Sequence, residues 1–387
     1  MNAADLSARR VLFLADELHS SGGLELFELA IAEALSKRGW ELVLSYATDG
    51  DLVDRWSAIA EMRRRDDHPD LAAAVSRSDI VYCHWVHLLE PALAAAQSVG
   101  RPVAGHLHLP PFHLRDGWKG LVKGRHRWPM EPRVWSKRTE VGAFAAVSDF
   151  TRAQWLRSGL PADRVVTIHN GIDLAIYRPP TADERREVRA EFGVGDDEIV
   201  IGYVGRLDPL KGVHHLLDAF STLAAGDPRL RLVIVGAPTR NDIAAGERFA
   251  DELRARSPAT VRWLGKRRDT ERLYRGFDLF VVPSNWDEPF GLVTIEAMAS
   301  GVPVLSTCRG GIPEILTGPL ARWLVEPDTA SIREGLERLL AEDLAAVGRS
   351  GLEHVRSHFT IDHTAAGVER MLLDLISGGG RARPELP

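Results

Sequence analysis

Residues 279–306 read LFVVPSNWDEPFGLVTIEAMASGVPVLS. The apolar run 279–282 is short, as a buried strand is, and Pro283 ends it. A polar loop carrying Glu288 follows. From about Leu292 the residues suit a short helix that closes at Gly301, a residue favoured in the left-handed turn after a helix. A second apolar run then spans 302–306. Strand, helix and strand in this order make a parallel pair joined by a helical crossover.

The same alternation extends in both directions. Strands are expected at 199–204, 230–235, 261–264, 279–282, 302–306 and 321–325, which make one sheet. An earlier set at 11–15, 41–46, 79–83, 102–106, 143–147 and 165–168 makes another. The expected fold class is therefore α/β, with two Rossmann-like domains whose parallel sheets face a central cleft. Asn170-Gly171 and the pair Pro179-Pro180 break regular structure between the two sets and place the junction near 172–182. The expected division is 1–175 for the first domain, 176–358 for the second, 359–377 for a terminal helix and 378–387 for a tail.

A chain of 387 residues is long enough for two cores, and 45% hydrophobic with 26% charged residues supplies them. The net charge of −6 gives no general attraction to nucleic acid. Cys83 and Cys308 are the only cysteines, too few and too far apart for a disulfide framework or a zinc pattern. Arg9 and Arg10 precede an apolar run, 11–15, that is shorter than a signal-peptide core, and no stretch reaches the ~18 apolar residues of a membrane span. A cytoplasmic protein is expected.

Chemistry gathers at the expected strand ends, where open α/β sheets form their ligand crevice. After 199–204 come Gly205, Arg206, Lys211 and Gly212, ahead of a helix starting near Val213. An arginine can fork onto two oxygens of a diphosphate, and a lysine adds a point charge. After 279–282 come Glu288 and, eight positions on, Glu296. Between them the N–H groups of Gly291, Leu292 and Val293 would project from a helix start, a good seat for a phosphate. The carboxylates can accept hydrogen bonds from sugar hydroxyls. In the first half, Gly22 and Gly23 sit between a strand and the helix 24–38, where glycine permits close approach of a ligand.

Together with the Gly310-Gly-Ile-Pro-Glu314 stretch, these segments resemble the retaining family-4 glycosyltransferases of the GT-B fold, over nearly the whole chain. The resemblance implies that Arg206 and Lys211 hold a donor diphosphate, that Glu288 binds the transferred sugar and Glu296 the ribose, and that Gly291, Leu292 and Val293 cradle a phosphate. It implies a strand-end histidine, matched by His108, with His106 where the family often has a threonine. It further implies retention of anomeric configuration, through front-face attack, and a last helix, 361–376, that crosses back to the first domain. No cofactor is implied. With no DxD-type motif at a strand end, no metal is expected either, and fixed positive charge takes its place.

The donor implied is a nucleotide-diphosphate sugar, UDP favoured. The acceptor hydroxyl would belong to a small molecule or natural-product intermediate, or to a glycolipid or polysaccharide precursor. Acceptor recognition is expected in the first domain, with His106, Arg115 and Trp118 as candidates. The segment 110–138 interleaves Trp118, Trp128 and Trp135 with basic residues, and suits an anionic acceptor or peripheral contact with the inner membrane face. Two rival readings are a GT-B nucleotide-sugar 2-epimerase and a non-catalytic nucleotide-sugar binding protein. An epimerase leaves the basic segment unused; a binding protein leaves the full set of acids and bases unexplained.

Overall fold

The computed structural model describes residues 9–20, 23–65, 68–111, 130, 132–238 and 243–378. The chain divides into two compact units, one of residues 1–170 with 361–387, the other of residues 171–360.

The first unit is built on seven parallel strands: β1 (Arg10–Glu17), β2 (Glu41–Thr48), β3 (Ala60–Arg64), β4 (Ile80–Cys83), β5 (Val103–Leu107), β6 (Ala143–Ala146) and β7 (Val165–Thr167). Their order across the sheet is β3-β2-β1-β4-β5-β6-β7. The order reverses between β1 and β4, so the loops after these strands part there and leave a crevice. Central strands are apolar on both faces because helices cover both; Val11, Leu12, Phe13 and Leu14 have no exposed surface. One strand was not expected. β3 reads AEMRR and contains no fully buried residue, because it closes an edge of the sheet.

The helix Ile361–Ile376 belongs to this unit and buries Ala365, Val368, Met371, Leu372 and Leu375. Arg38 Nε and Trp40 Nε1 both donate to Glu369, at 2.7 and 3.0 Å. A side chain at Gly142 would meet Leu375 at 2.8 Å, so glycine there lets the helix settle on the sheet.

The second unit has six parallel strands: β8 (Ile199–Val204), β9 (Leu230–Val235), β10 (Val261–Gly265), β11 (Leu279–Val282), β12 (Val304–Thr307) and β13 (Leu324–Val325). The order is β10-β9-β8-β11-β12-β13, with the reversal between β8 and β11. Two expected strands are corrected. The run 302–306 begins pairing only at Val304, since Pro303 has no N–H to give and serves through its carbonyl, which accepts from Phe280 N at 2.9 Å. In 321–325 the first three residues finish a 3-10 turn, Gly318–Trp323, so the strand is only Leu324–Val325.

Candidate active site

In the second unit the loops after β8 and β11 carry the acids and bases, side by side at the reversal point. Close backbone crossing makes this possible. Gly212 has φ 67°, and a Cβ there would lie 1.7 Å from the Pro283 carbonyl oxygen. Gly310 has φ 63°, and a Cβ there would lie 2.0 Å from the Glu288 carbonyl oxygen. Asn285 N and Trp286 N donate to Leu210 O at 2.9 and 3.0 Å, which ties the two loops together.

Lys211 Nζ donates to Glu288 Oε1 at 2.6 Å, and Ser284 Oγ donates to the same oxygen. Glu288 is almost buried, at 8% exposure, so this pairing is what allows a carboxylate there. Lys211 has three N–H groups and spends one of them on Glu288. Arg206 is the open member of the set: its side chain is 52% exposed and only loosely paired with Asp208, at 3.8 Å. The buried Tyr203 hydroxyl donates to the Arg206 carbonyl at 2.7 Å and holds the loop from beneath.

The helix Leu292–Ala299 starts from Gly291, whose φ of 108° turns the chain into it. The N–H groups at such a start precede the first helical acceptors. Glu296 lies one turn in, on that helix. Tyr274 Oη donates to its Oε2 at 2.8 Å, and Tyr177 adds a second hydrogen bond. Burial pushes the Glu296 carboxyl up to about 7, against the opposing pull of the two tyrosines.

The first unit has a different centre, at the ends of β4 and β5. Tyr82 and His84 share one face by strand alternation, as do His106 and His108 on the neighbouring strand. The Tyr82 hydroxyl bonds His106 Nδ1 at 2.6 Å, and His84 Nδ1 bonds His108 Nε2 at 3.1 Å. The rings of His106 and His108 stack at 4.2 Å, and Phe27 meets both edge-on. Burial drives all three imidazoles to the neutral form, His108 down to about 3 and His84 and His106 well below the usual range. Glu28 is buried beside them with its carboxyl pushed up by burial to about 8, although Trp85 Nε1 donates to it at 3.3 Å.

One nitrogen from each of His84, His106 and His108 lies within 4.8 Å of the others, close enough to suggest a metal. The ring planes argue against it in this arrangement. A metal ion lies in the plane of each imidazole it binds, and the planes of His106 and His108, stacked 14° from parallel, do not meet at such a point.

Gly23 opens the helix Gly23–Lys37, while Gly22, Arg115 and Trp118 lie outside the described residues. The structure thus gathers Arg206, Lys211, Glu288, Gly291, Leu292, Val293 and Glu296 in one unit, and His106 and His108 in the other. Sequence reasoning missed Tyr82, His84 and Glu28, and Ser284, Tyr274 and Tyr177. A signal existed for His84, since it follows the end of β4 as His108 follows the end of β5. The tyrosines lie elsewhere in the chain and only folding brings them to Glu296.

Residues 184–349 match the family model for glycosyl transferases group 1, and residues 21–176 match that for glycosyltransferase family 4. D-inositol 3-phosphate glycosyltransferase of Mycolicibacterium smegmatis is 32% identical over 237 residues, 59% of this chain and 53% of that protein. The Mycobacterium bovis protein of the same name is 37% identical over 170 residues, 43% of this chain and 34% of its own length. The chain spans about half the length of the former and less of the latter. Among solved structures, Anabaena HepE in complex with UDP and glucose superposes with a TM-score of 0.77 at 22% identity, covering 95% of this chain and all of that one. Sucrose-phosphate synthase from Thermosynechococcus elongatus gives 0.72 at 20% identity, covering 96% of this chain and 100% of that one. At these identities the likeness is one of fold.

Proposed function

We propose, from the premise that the chain belongs to the family-4 glycosyltransferases of the GT-B fold, that it moves a sugar from a nucleotide-diphosphate donor to an acceptor hydroxyl with retention, without a metal ion. The observation that carries this reading is the cluster at the β8–β11 reversal: a lysine locked to a near-buried glutamate, an open arginine beside them, and a glycine-started helix.

Departure of a nucleotide diphosphate leaves negative charge on its terminal phosphate. Arg206, the two remaining N–H groups of Lys211 and the helix start supply fixed positive charge for it. Glu288 is assigned to hydroxyls of the sugar and Glu296 to the ribose. No carboxylate is assigned as a covalent nucleophile. The acceptor hydroxyl attacks the anomeric carbon on the leaving-group side, its proton passes to the departing phosphate oxygen, and the bond to that oxygen breaks. His108 is assigned to the sugar on the strength of the family resemblance. UDP is the favoured nucleotide, supported by the complexes of HepE with UDP and with UDP-glucose. The relatives' name makes an inositol phosphate the first acceptor to try. Membrane contact through 110–138 is a further proposal; no helix of the described residues is long and apolar enough to cross a membrane.

Thermal shift with UDP, GDP, ADP and dTDP sugars in the presence of EDTA, followed by transfer assays with the best donor, tests the reading. A stabilising donor, transfer in EDTA and an α-linked product from an α-linked donor are expected. Activity that EDTA abolishes and magnesium restores overturns the metal-independent mechanism, and an inverted product overturns retention.

A further inference from the structure

The histidine cluster poses a question that the assignment of His108 leaves open: on which ring nitrogen each proton sits. A neutral imidazole has one N–H and one bare nitrogen. Burial keeps His84, His106 and His108 neutral, so three protons are distributed over six nitrogens.

Two of those nitrogens are buried with no hydrogen-bond partner among the described residues, Nε2 of His84 and Nε2 of His106. His84 is 2% exposed and His106 1%. A buried N–H without an acceptor costs more than a bare acceptor nitrogen in the same place, which is why orphaned donors are the rarer of the two in proteins. The proton of His84 therefore belongs on Nδ1, where His108 can accept it. His106 differs, because its Nδ1 faces the buried Tyr82 hydroxyl, which brings a proton of its own to their 2.6 Å bond. In His84, Nδ1–H donates to His108 Nε2 at 3.1 Å. His108 Nε2 must then be the acceptor, and its own proton goes to Nδ1.

We propose that His84 is a positioning residue that fixes His108 as the Nδ1–H tautomer, so that His108 presents a hydrogen-bond donor, not an acceptor, to its ligand. The ligand, a sugar, rests on the function proposed above; the tautomer does not. A donor at Nδ1 suits a hydroxyl oxygen of the transferred sugar and cannot act as a base toward it. His84 also fixes the ring angle, since its bond and the stacked His106 hold His108 from two sides. The residue is placed by register: Tyr82 and Cys83 pair with Ala104 and Gly105, which sets His84 across from His106 and its Nδ1 within reach of His108.

Nitrogen NMR of the whole protein labelled with ¹⁵N-histidine reads the tautomer directly. The expected result is a His108 ring protonated at Nδ1, the form that free histidine disfavours. His84→Asn, whose amide N–H can stand near the lost Nδ1–H, should keep that tautomer; His84→Ala should release His108 to the Nε2–H form. With donor and acceptor, His84→Ala should lower kcat by about tenfold or more while the donor KM holds, and His84→Asn should recover most of the loss. A His108 ring protonated at Nε2 in the unaltered protein overturns the proposal, as does an unchanged tautomer in folded His84→Ala. Should no sugar transfer be found but His108 still carry its proton at Nδ1 under the control of His84, the tautomer inference stands and the function falls.

Discussion

The two units share a strand order, yet the centre one strand beyond the reversal in the first, at β4 and β5, is neutral, and the centre at the reversal in the second, at β8 and β11, is charged. At β4 and β5, Tyr82, His84, His106 and His108 form short hydrogen bonds among uncharged rings, and burial holds the neighbouring Glu28 toward its protonated form. At β8 and β11, Lys211 and Glu288 pair as ions, and Arg206 stands open beside them. The difference follows from what each loop brings. The β4 and β5 ends deliver side chains that can discard their charge when buried. Arginine cannot, and a lysine need not when a carboxylate is 2.6 Å away. A centre of neutral donors selects by direction, which suits hydroxyls; a centre of fixed cations selects by charge, which suits phosphates.

The strongest way to break this contrast is to remove the cations. Arg206→Ala and Lys211→Ala should each reduce turnover about a hundredfold or more, on the order of 3 kcal/mol for a preorganised charge lost opposite a developing anion. Their effects on folding should differ. Arg206 is half-exposed and its loss should leave stability unchanged, whereas Lys211→Ala strips the partner from a near-buried Glu288 and should lower Tm as well. Saturating-donor kinetics below the transition of the weaker variant separates the two effects. Near-normal turnover in either variant would remove it from the diphosphate site.

Within the charged centre the two glutamates are unlike each other, and calorimetry can sharpen that. Glu296→Ala should weaken free nucleotide and intact donor alike, by about 1.5 to 3 kcal/mol for a lost charged acceptor. Glu288→Ala should leave free-nucleotide affinity nearly unchanged and blur discrimination between donors that differ at one hydroxyl. Because the Glu296 carboxyl titrates near 7, nucleotide affinity should rise from pH 6 to pH 8 in the unaltered protein and stay flat in Glu296→Gln. Equal loss of bare-nucleotide affinity in both alanine variants would end the division of labour.

What the sequence revealed and what it hid divides along the same line. Both sheets were legible because buried parallel strands leave short continuous apolar runs such as LFVV at β11, bounded by Asp278 and Pro283. The edge strand β3 left none, since AEMRR has no fully buried residue and so needs no continuous apolar face. The charged centre was also legible: Arg206, Lys211 and Glu288 keep their charge wherever they are, and their order along the chain could be compared with a family's. The neutral centre was legible only in His106 and His108. Its properties arise from burial and from pairing across strands, and neither the 3.1 Å contact of His84 with His108 nor the depressed basicity of the rings has a counterpart in residue spacing.

The last and smallest effect tests whether the first unit's centre is neutral by design of its surroundings. Burial, reinforced by Glu25 and Asp16 and opposed by the Trp85 hydrogen bond, raises the Glu28 carboxyl from 4.5 to about 8. Between those values the folded chain holds a proton that the unfolded chain has released, so protonation of Glu28 stabilises the fold. That contribution is full below pH 4.5, declines as pH rises, and is gone above about 8. Glutamine cannot ionise, and its amide oxygen can still accept from Trp85 Nε1. Glu28→Gln should therefore lose less stability than the unaltered protein between pH 5 and pH 8.5, and each kcal/mol of difference moves Tm by about 2–4 °C in a unit of this size. Thermal melts of both proteins across that range decide the point. Two parallel curves would mean that Glu28 ionises as freely in the folded chain as in the unfolded one, and the contrast between a neutral and a charged centre would then rest on the histidines alone.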